Sequence, residues 1–177
     1  MPKLGNIFLV GMMGAGKTTI GKALAKRLER RFLDTDQEVV RRTGVAVPTI
    51  FDIEGEAGFR ARERAVLEEL VKLDDTVLAT GGGIVIQEAN RKTMALHGTV
   101  IYLRASVEDL WRRTRRDRSR PLLQTPNPLE TLRNLYAQRD PLYHEVAHIV
   151  ADTSSQSVQR LISELLQKLD DFSVRTL

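Results

Sequence analysis

The sequence predicts a three-layer α/β domain in which a parallel sheet of about five strands is covered by helices on both faces. Three observations predict it. Five short apolar runs alternate with segments of helical apolar spacing and few hairpin turns, a pattern that calls for right-handed crossovers and a sheet buried on both sides. The first run leads straight into a glycine-rich joint and then a helix, as a phosphate-binding turn requires. The 177 residues suffice for a single core and contain no linker that would divide two.

Strand 1 is read at "IFLV", 7–10, and the helix behind it turns Ile20, Ala23, Leu24 and Leu28 to one face. Strand 2 is read at "FLDTD", 32–36; in an extended chain Asp34 and Asp36 point the same way at its carboxyl end, where open α/β sheets bind ligands. "FRARERAVLEEL" reads as a helix that sets Arg60 and Glu63 on a common face. Strand 3, "TVLAT" at 76–80, runs into Gly81, Gly82 and Gly83, and strand 4 is "TVIYL" at 99–103. Ser106 to Asp109 resembles a capping box, and Asn127-Pro128-Leu-Glu130 offers a cap, a first-turn proline and a first-turn acid. Between them, Arg115 to Pro128 is charge-dense, proline-rich and aperiodic, the composition of a lid or a solvated loop. Arg139 precedes Pro141, where a helix is expected to end. Strand 5 is "AHIVA" at 147–151, and the last helix carries a stripe of Val158, Leu161, Ile162, Leu165, Leu166 and Leu169.

Composition narrows the function classes. No apolar stretch approaches a bilayer span, there is no cysteine, and the chain enters its first strand without a basic, apolar leader. A cytoplasmic protein with no membrane contact is expected. The net charge of +4 is concentrated in "RRTRRDRSR", 112–120, whose six arginines and one aspartate carry more than the whole excess. Nucleic-acid footprints spread along a face, so no nucleic-acid partner is expected, and the cluster suits a compact anion. His97, His144 and His148 are scattered and read as surface or packing residues.

"GMMGAGKT" matches G-x-x-x-x-G-K-[ST] without mismatch. Gly11, Met12, Met13, Gly14, Ala15, Gly16 and Thr19 would cradle phosphates with backbone N–H groups; Lys17 reaches the β- and γ-phosphates, and the Thr18 hydroxyl can ligate Mg²⁺. A nucleoside triphosphate, ATP, with its magnesium is the expected ligand. Of Asp34 and Asp36, one carboxylate could hold magnesium through water or accept a hydroxyl proton, and the other could bind a polyol. The triple glycine suggests a ligand lying flat against the backbone and bonded by its amides. Arg60, oriented by Glu63, and Arg139 would suit a carboxylate-bearing substrate.

Taken in order, "GMMGAGKTT", "FLDTD", "FRARE", "TGGG", "SRPLL" and "QRDPLY" resemble the shikimate kinase family over nearly the whole chain. The resemblance implies a P-loop kinase fold of the nucleoside monophosphate kinase type, with a mobile lid at about 113–126. It implies transfer of the γ-phosphoryl of ATP to the 3-hydroxyl of shikimate, in the pathway to chorismate and the aromatic amino acids. By resemblance, Lys17, Asp34 and Arg120 are the catalytic set, with Asp34 near the magnesium and the reacting hydroxyl. Arg113 stacks near adenine and Arg120 reaches the transferring phosphoryl from the lid. Asp36, Arg60, Gly82 and Arg139 bind shikimate, flanked by Gly81, Gly83 and Glu63, while Phe51 and Phe59 wall its pocket. The loop from Asp152, "DTSSQS", lacks the arginine and proline that some members place against adenine. A gluconate kinase shares the P-loop and the Asp-x-Asp but not the triple glycine or Phe-Arg-x-x-Glu. A monomer is expected, because no apolar stripe is left unassigned.

Overall fold

The computed structural model describes residues 5–154 and 156–176. Strands β1 (Asn6–Val10), β2 (Arg31–Asp34), β3 (Thr76–Ala79), β4 (Gly98–Arg104) and β5 (Ile149–Asp152) form one sheet in the order β2-β3-β1-β4-β5. Every neighbouring pair is parallel. Helices α1 (Lys17–Arg27), α2 (Thr35–Thr43), α3 (Val47–Leu70), α4 (Glu88–His97), α5 (Val107–Thr114) and α6 (Pro128–Val146) supply the crossovers, and α7 (Val158–Arg175) follows the last strand. Five parallel strands between helices are the predicted architecture, and the strand limits differ from the sequence reading by one or two residues.

All five residues of β1 are buried, as a strand central to a sheet covered on both faces requires. The polar one, Asn6, is satisfied: its amide donates to the Val71 and Leu73 carbonyls at 3.3 and 2.7 Å and accepts from the Thr76 amide and hydroxyl. Both helix starts read from sequence are capped by side chains, Ser106 accepting from the Asp109 amide at 3.2 Å and Asn127 from Glu130 at 3.3 Å. Each such cap contributes about 1 kcal/mol.

Two expectations are corrected. The extended chain of strand 2 stops at Asp34, and α2 begins at Thr35, so Asp36 stands in the first turn of a helix rather than beside Asp34 on a strand. The cause is a cap: the Asp34 carboxylate accepts from the Gln37 amide at 3.1 Å. Pro141 does not end its helix either, because α6 continues to Val146. A proline there removes one backbone bond, and the buried side of α6, with Leu132, Arg139, Tyr143 and Val146, outweighs it.

The seam between β4 and β5 depends on a histidine. His148 Nδ1 accepts the Val100 amide at 2.9 Å, its own amide donates back to the Val100 carbonyl, and its ring lies 5.3 Å from that of Phe172. Burial holds the imidazole below its usual pKa of 6.5. The folded state therefore refuses a proton that the unfolded chain accepts, so stability falls as pH drops through 6.5 toward the folded pKa. His148→Asn keeps an acceptor that cannot titrate. Its melting temperature is expected to fall less between pH 7 and 5 than that of the parent; identical falls by calorimetry would exclude this contact as an acid-labile one.

Candidate active site

Beyond the carboxyl ends of β1, β2 and β3 opens a cleft of about 700 Å³ whose floor is the P-loop and whose far wall is α3 and α6. The turn after β1 takes its shape from glycine: Gly16 has φ 94°, and a Cβ on Gly11 would overlap the Leu103 carbonyl. Lys17 opens α1 and folds back so that Nζ donates to the Gly11 and Met12 carbonyls at 2.6 and 2.9 Å. Two of its three donors thus hold the loop closed around the helix N-terminus. The Thr18 hydroxyl donates to Asp34 Oδ2 at 3.0 Å. These are hard oxygens suited to Mg²⁺, which is held by few protein ligands when phosphates supply the rest. Among the described residues no group of three or more His, Cys, Asp or Glu could hold a metal by itself.

Lys17 is the most perturbed cation of the cleft. Burial lowers its pKa to about 8, the Arg120 and Arg139 charges push the same way, and Asp36 and Asp34 oppose them. A triphosphate favours the charged ammonium, so ATP binding at pH 8.5 is expected to take up protons, and affinity to weaken as pH rises above 8. Titration calorimetry in buffers of different ionisation enthalpy measures this; Lys17→Met should abolish the uptake.

The acceptor end is built around the glycine triplet. The Gly81 amide is already spent on Thr35 Oγ1 at 3.0 Å. The triplet also provides room for side chains: a Cβ on Gly81 would press against Glu63 Oε2 and Asp36 Oδ1, one on Gly83 would overlap the Arg60 guanidinium, and one on Gly82 would sit 3.3 Å from Arg139 Nη1. The three glycines thus bring α2, α3 and α6 side chains together at the end of β3.

Arg60 and Glu63 form a buried pair at 3.1 Å, not the exposed bridge that helix spacing alone suggests, and Arg60 also bonds Glu56 at 3.2 Å. Burial pushes the Glu63 carboxyl up to about 7 against the pull of Arg60. Asp36 is also raised, first by burial and then by the negative charge of Asp34. Asp36 Oδ1, Glu63 Oε2 and Arg60 Nε are buried without hydrogen-bond partners. Arg139 is 2% exposed and has no ion pair among the described residues. Unpartnered acceptors beside an unpaired buried cation fit a ligand that carries both hydroxyls and a negative charge.

Phe51 and Phe59 wall this end, ring centroids 4.9 Å apart, with the Arg60 guanidinium 5.3 Å over Phe59. In an unbroken helix, residues eight apart stand about 12 Å apart along the axis. Gly55, at φ 72° and ψ −179°, breaks α3 and folds its first half back; Arg62 fastens the fold to Glu54 at 2.6 and 2.8 Å. The sequence reading missed this hinge, although the glycines of "EGEAGF" mark it. It also missed Thr35, Tyr143 and the apolar lining of Val40, Val47 and Pro48.

The segment expected to act as a lid continues from the end of α5. Ser119, Arg120, Pro121 and Leu122 line the cleft, while Arg120 Nε donates to Asp117 at 2.9 Å. Arg113 does not line it: its guanidinium donates to the Gly14 carbonyl at 3.1 Å and to Thr153 at 3.3 Å, tying the P-loop to the loop after β5. That loop includes Ser155, outside the described residues.

Comparison with known proteins decides the family. A family model described as shikimate kinase matches residues 13–170. The chain belongs to the shikimate kinase family. It is 57% identical to the shikimate kinase of Nitrosospira multiformis over 93% of this chain and 85% of that one, and 56% identical to that of Chromobacterium violaceum over 97% and 94%. The solved shikimate kinase from Acinetobacter baumannii, in complex with shikimate, superposes with a TM-score of 0.90 at 51% identity, covering 93% of this chain and 92% of that one. A gluconokinase from Sinorhizobium meliloti reaches a TM-score of 0.65 at 16% identity over 99% of this chain and 97% of that one, which shows a shared fold alone. As a shikimate kinase family member the chain is an ATP-dependent phosphotransferase acting on shikimate, in the route to aromatic amino acids.

Proposed function

We propose that the cleft transfers the γ-phosphoryl of ATP to the 3-hydroxyl of shikimate, with nucleotide at the P-loop and the acid between Arg60 and Arg139. The observation that carries this reading is the buried, unpaired Arg139 beside the orphaned oxygens of Asp36 and Glu63. The carboxylate of the substrate neutralises the two arginines, Asp36 takes ring hydroxyls, and Phe51 and Phe59 enclose the ring.

Asp34 stands at the P-loop edge of this pocket and orients the acceptor hydroxyl, taking its proton as the new bond forms. Lys17 and Arg120 balance the charge that spreads over the transferring group, the main demand of a loose phosphoryl transition state. Thr18 and Asp34 would hold Mg²⁺, which would supply further neutralisation of the phosphates. Arg113, bonded to the Gly14 carbonyl and Thr153, is assigned to the nucleoside end, beside the base. Residues 1–177 act as one domain whose lid, at about 113–126, closes over the nucleotide and excludes water. Six arginines crowded in nine residues repel one another until a triphosphate relieves them. A cytoplasmic monomer, with neither nucleic acid nor membrane as partner, completes the reading; no described helix is long and apolar enough to cross a membrane.

A coupled ADP-release assay over shikimate, quinate, gluconate and nucleoside monophosphates tests the substrate. Turnover with shikimate well above the rest is expected; turnover with gluconate alone would overturn it.

A further inference from the structure

Tyr143 is fully buried on α6, one helical turn past Arg139. Its hydroxyl donates to the Gly82 carbonyl at 2.6 Å and lies 3.7 Å from Met12 Sδ in the P-loop, and the Arg139 guanidinium meets the same glycine, its Nη1 3.3 Å from where a Gly82 Cβ would stand. The ring is fixed from behind by Tyr102, 4.9 Å away and tilted by 32°, whose own hydroxyl donates to Asp140 at 2.6 Å. One phenol therefore joins the anion-binding arginine, the middle residue of the glycine triplet and the phosphate loop.

A phenol is suited to this junction because it donates once and accepts as well. Gly82 has no side chain to brace it, and Arg139 has no carboxylate partner among the described residues, so the phenol that fixes Gly82 also shapes the place where the guanidinium sits. Burial raises the pKa of the phenol, and it stays a neutral donor throughout the working pH range.

We infer that Tyr143 is a positioning residue for the acidic acceptor, setting the Arg139 guanidinium and the Gly82 backbone in the register that grips the substrate carboxylate. The inference rests on the proposed placement of that carboxylate at Arg139. It predicts a specific kinetic split. Removing the hydroxyl leaves the ring packed but frees Arg139 to turn, so the acceptor end loosens while the nucleotide end keeps Lys17 and its loop bonds.

Tyr143→Phe and Arg139→Ala are measured singly and together by steady-state kinetics in both substrates, with melting temperatures recorded alongside. Tyr143→Phe is expected to raise KM for shikimate about tenfold, the equivalent of ~1.4 kcal/mol, with kcat and KM for ATP changed less than about twofold. In the double variant the tyrosine change should add almost nothing to the arginine change, because residues acting through one another are not additive. A lower melting temperature with unchanged KM for shikimate would reduce Tyr143 to a packing residue and overturn the inference. So would a full tenfold further loss in the Arg139→Ala background. If Arg139→Ala itself left KM for shikimate unchanged, the carboxylate placement would fail instead. Should Tyr143→Phe not fold, Tyr102→Phe, which removes only the brace on Asp140, is expected to raise the same KM by a smaller factor; no rise would count against the inference.

Discussion

Arg120→Ala is expected to lower kcat by about three orders of magnitude, the lower end of what an arginine aimed at a transferring phosphoryl group contributes, while ATP affinity stays within a few-fold. Ground-state nucleotide binding is expected to fall to the P-loop amides, the α1 N-terminus and Lys17, none of which is hydrogen-bonded to Arg120 among the described residues. Arg120 lines the cleft with its charge felt at Lys17 and Asp36. Asp117 takes its Nε at 2.9 Å, leaving the terminal nitrogens free to meet charge that develops during transfer. Because that charge exists fully only in the transition state, the loss belongs in kcat. Rapid-quench and steady-state kinetics would measure it. An unchanged kcat would refute the assignment of this segment as a catalytic lid.

Gly83→Ala is expected to raise KM for shikimate about a hundredfold, the upper range for a lost charge-assisted hydrogen bond of ~1.5–3 kcal/mol, with KM for ATP little changed. Its φ of −91° is open to any residue, so the effect is one of space: the added methyl would overlap the guanidinium of Arg60. That guanidinium cannot retreat cheaply, being bonded to Glu63 in a buried site. Overpacking a tight contact also costs about 1–3 kcal/mol of stability. Kinetics on material shown to be folded by circular dichroism separates the two effects. An unaltered KM for shikimate would show that Arg60 does not hold the substrate.

Much of the fold could be read from the sequence because it depends on short-range rules, and the charged residues that line the cleft stood out in the motifs. Strand and helix alternation fixes a parallel sheet, and the spacing of "GMMGAGKT" fixes the phosphate turn. Long-range packing was not legible. Helical spacing places Arg60 and Glu63 on one face but cannot say that the face is buried, and it is burial that gives Glu63 its raised pKa. The glycine triplet stood out in the sequence as a place for backbone contact, but nothing in the sequence showed that the space of its missing side chains is occupied by residues from three other elements. A cap at Asp34 and a buried face on α6 overrode the local signals at Asp36 and Pro141. Tyr143 had no sequence signal apart from its place in "QRDPLY"; its role follows only from what it touches.

A crystal structure of the protein with shikimate, Mg²⁺ and a non-hydrolysable ATP analogue tests the central claim most directly. The account predicts the shikimate carboxylate bonded to Arg60 and Arg139, its ring against Phe51 and Phe59, and one hydroxyl turned to Asp34 and the γ-phosphoryl above Lys17. A carboxylate seated among the lid arginines, with Arg139 left unpaired, would contradict it.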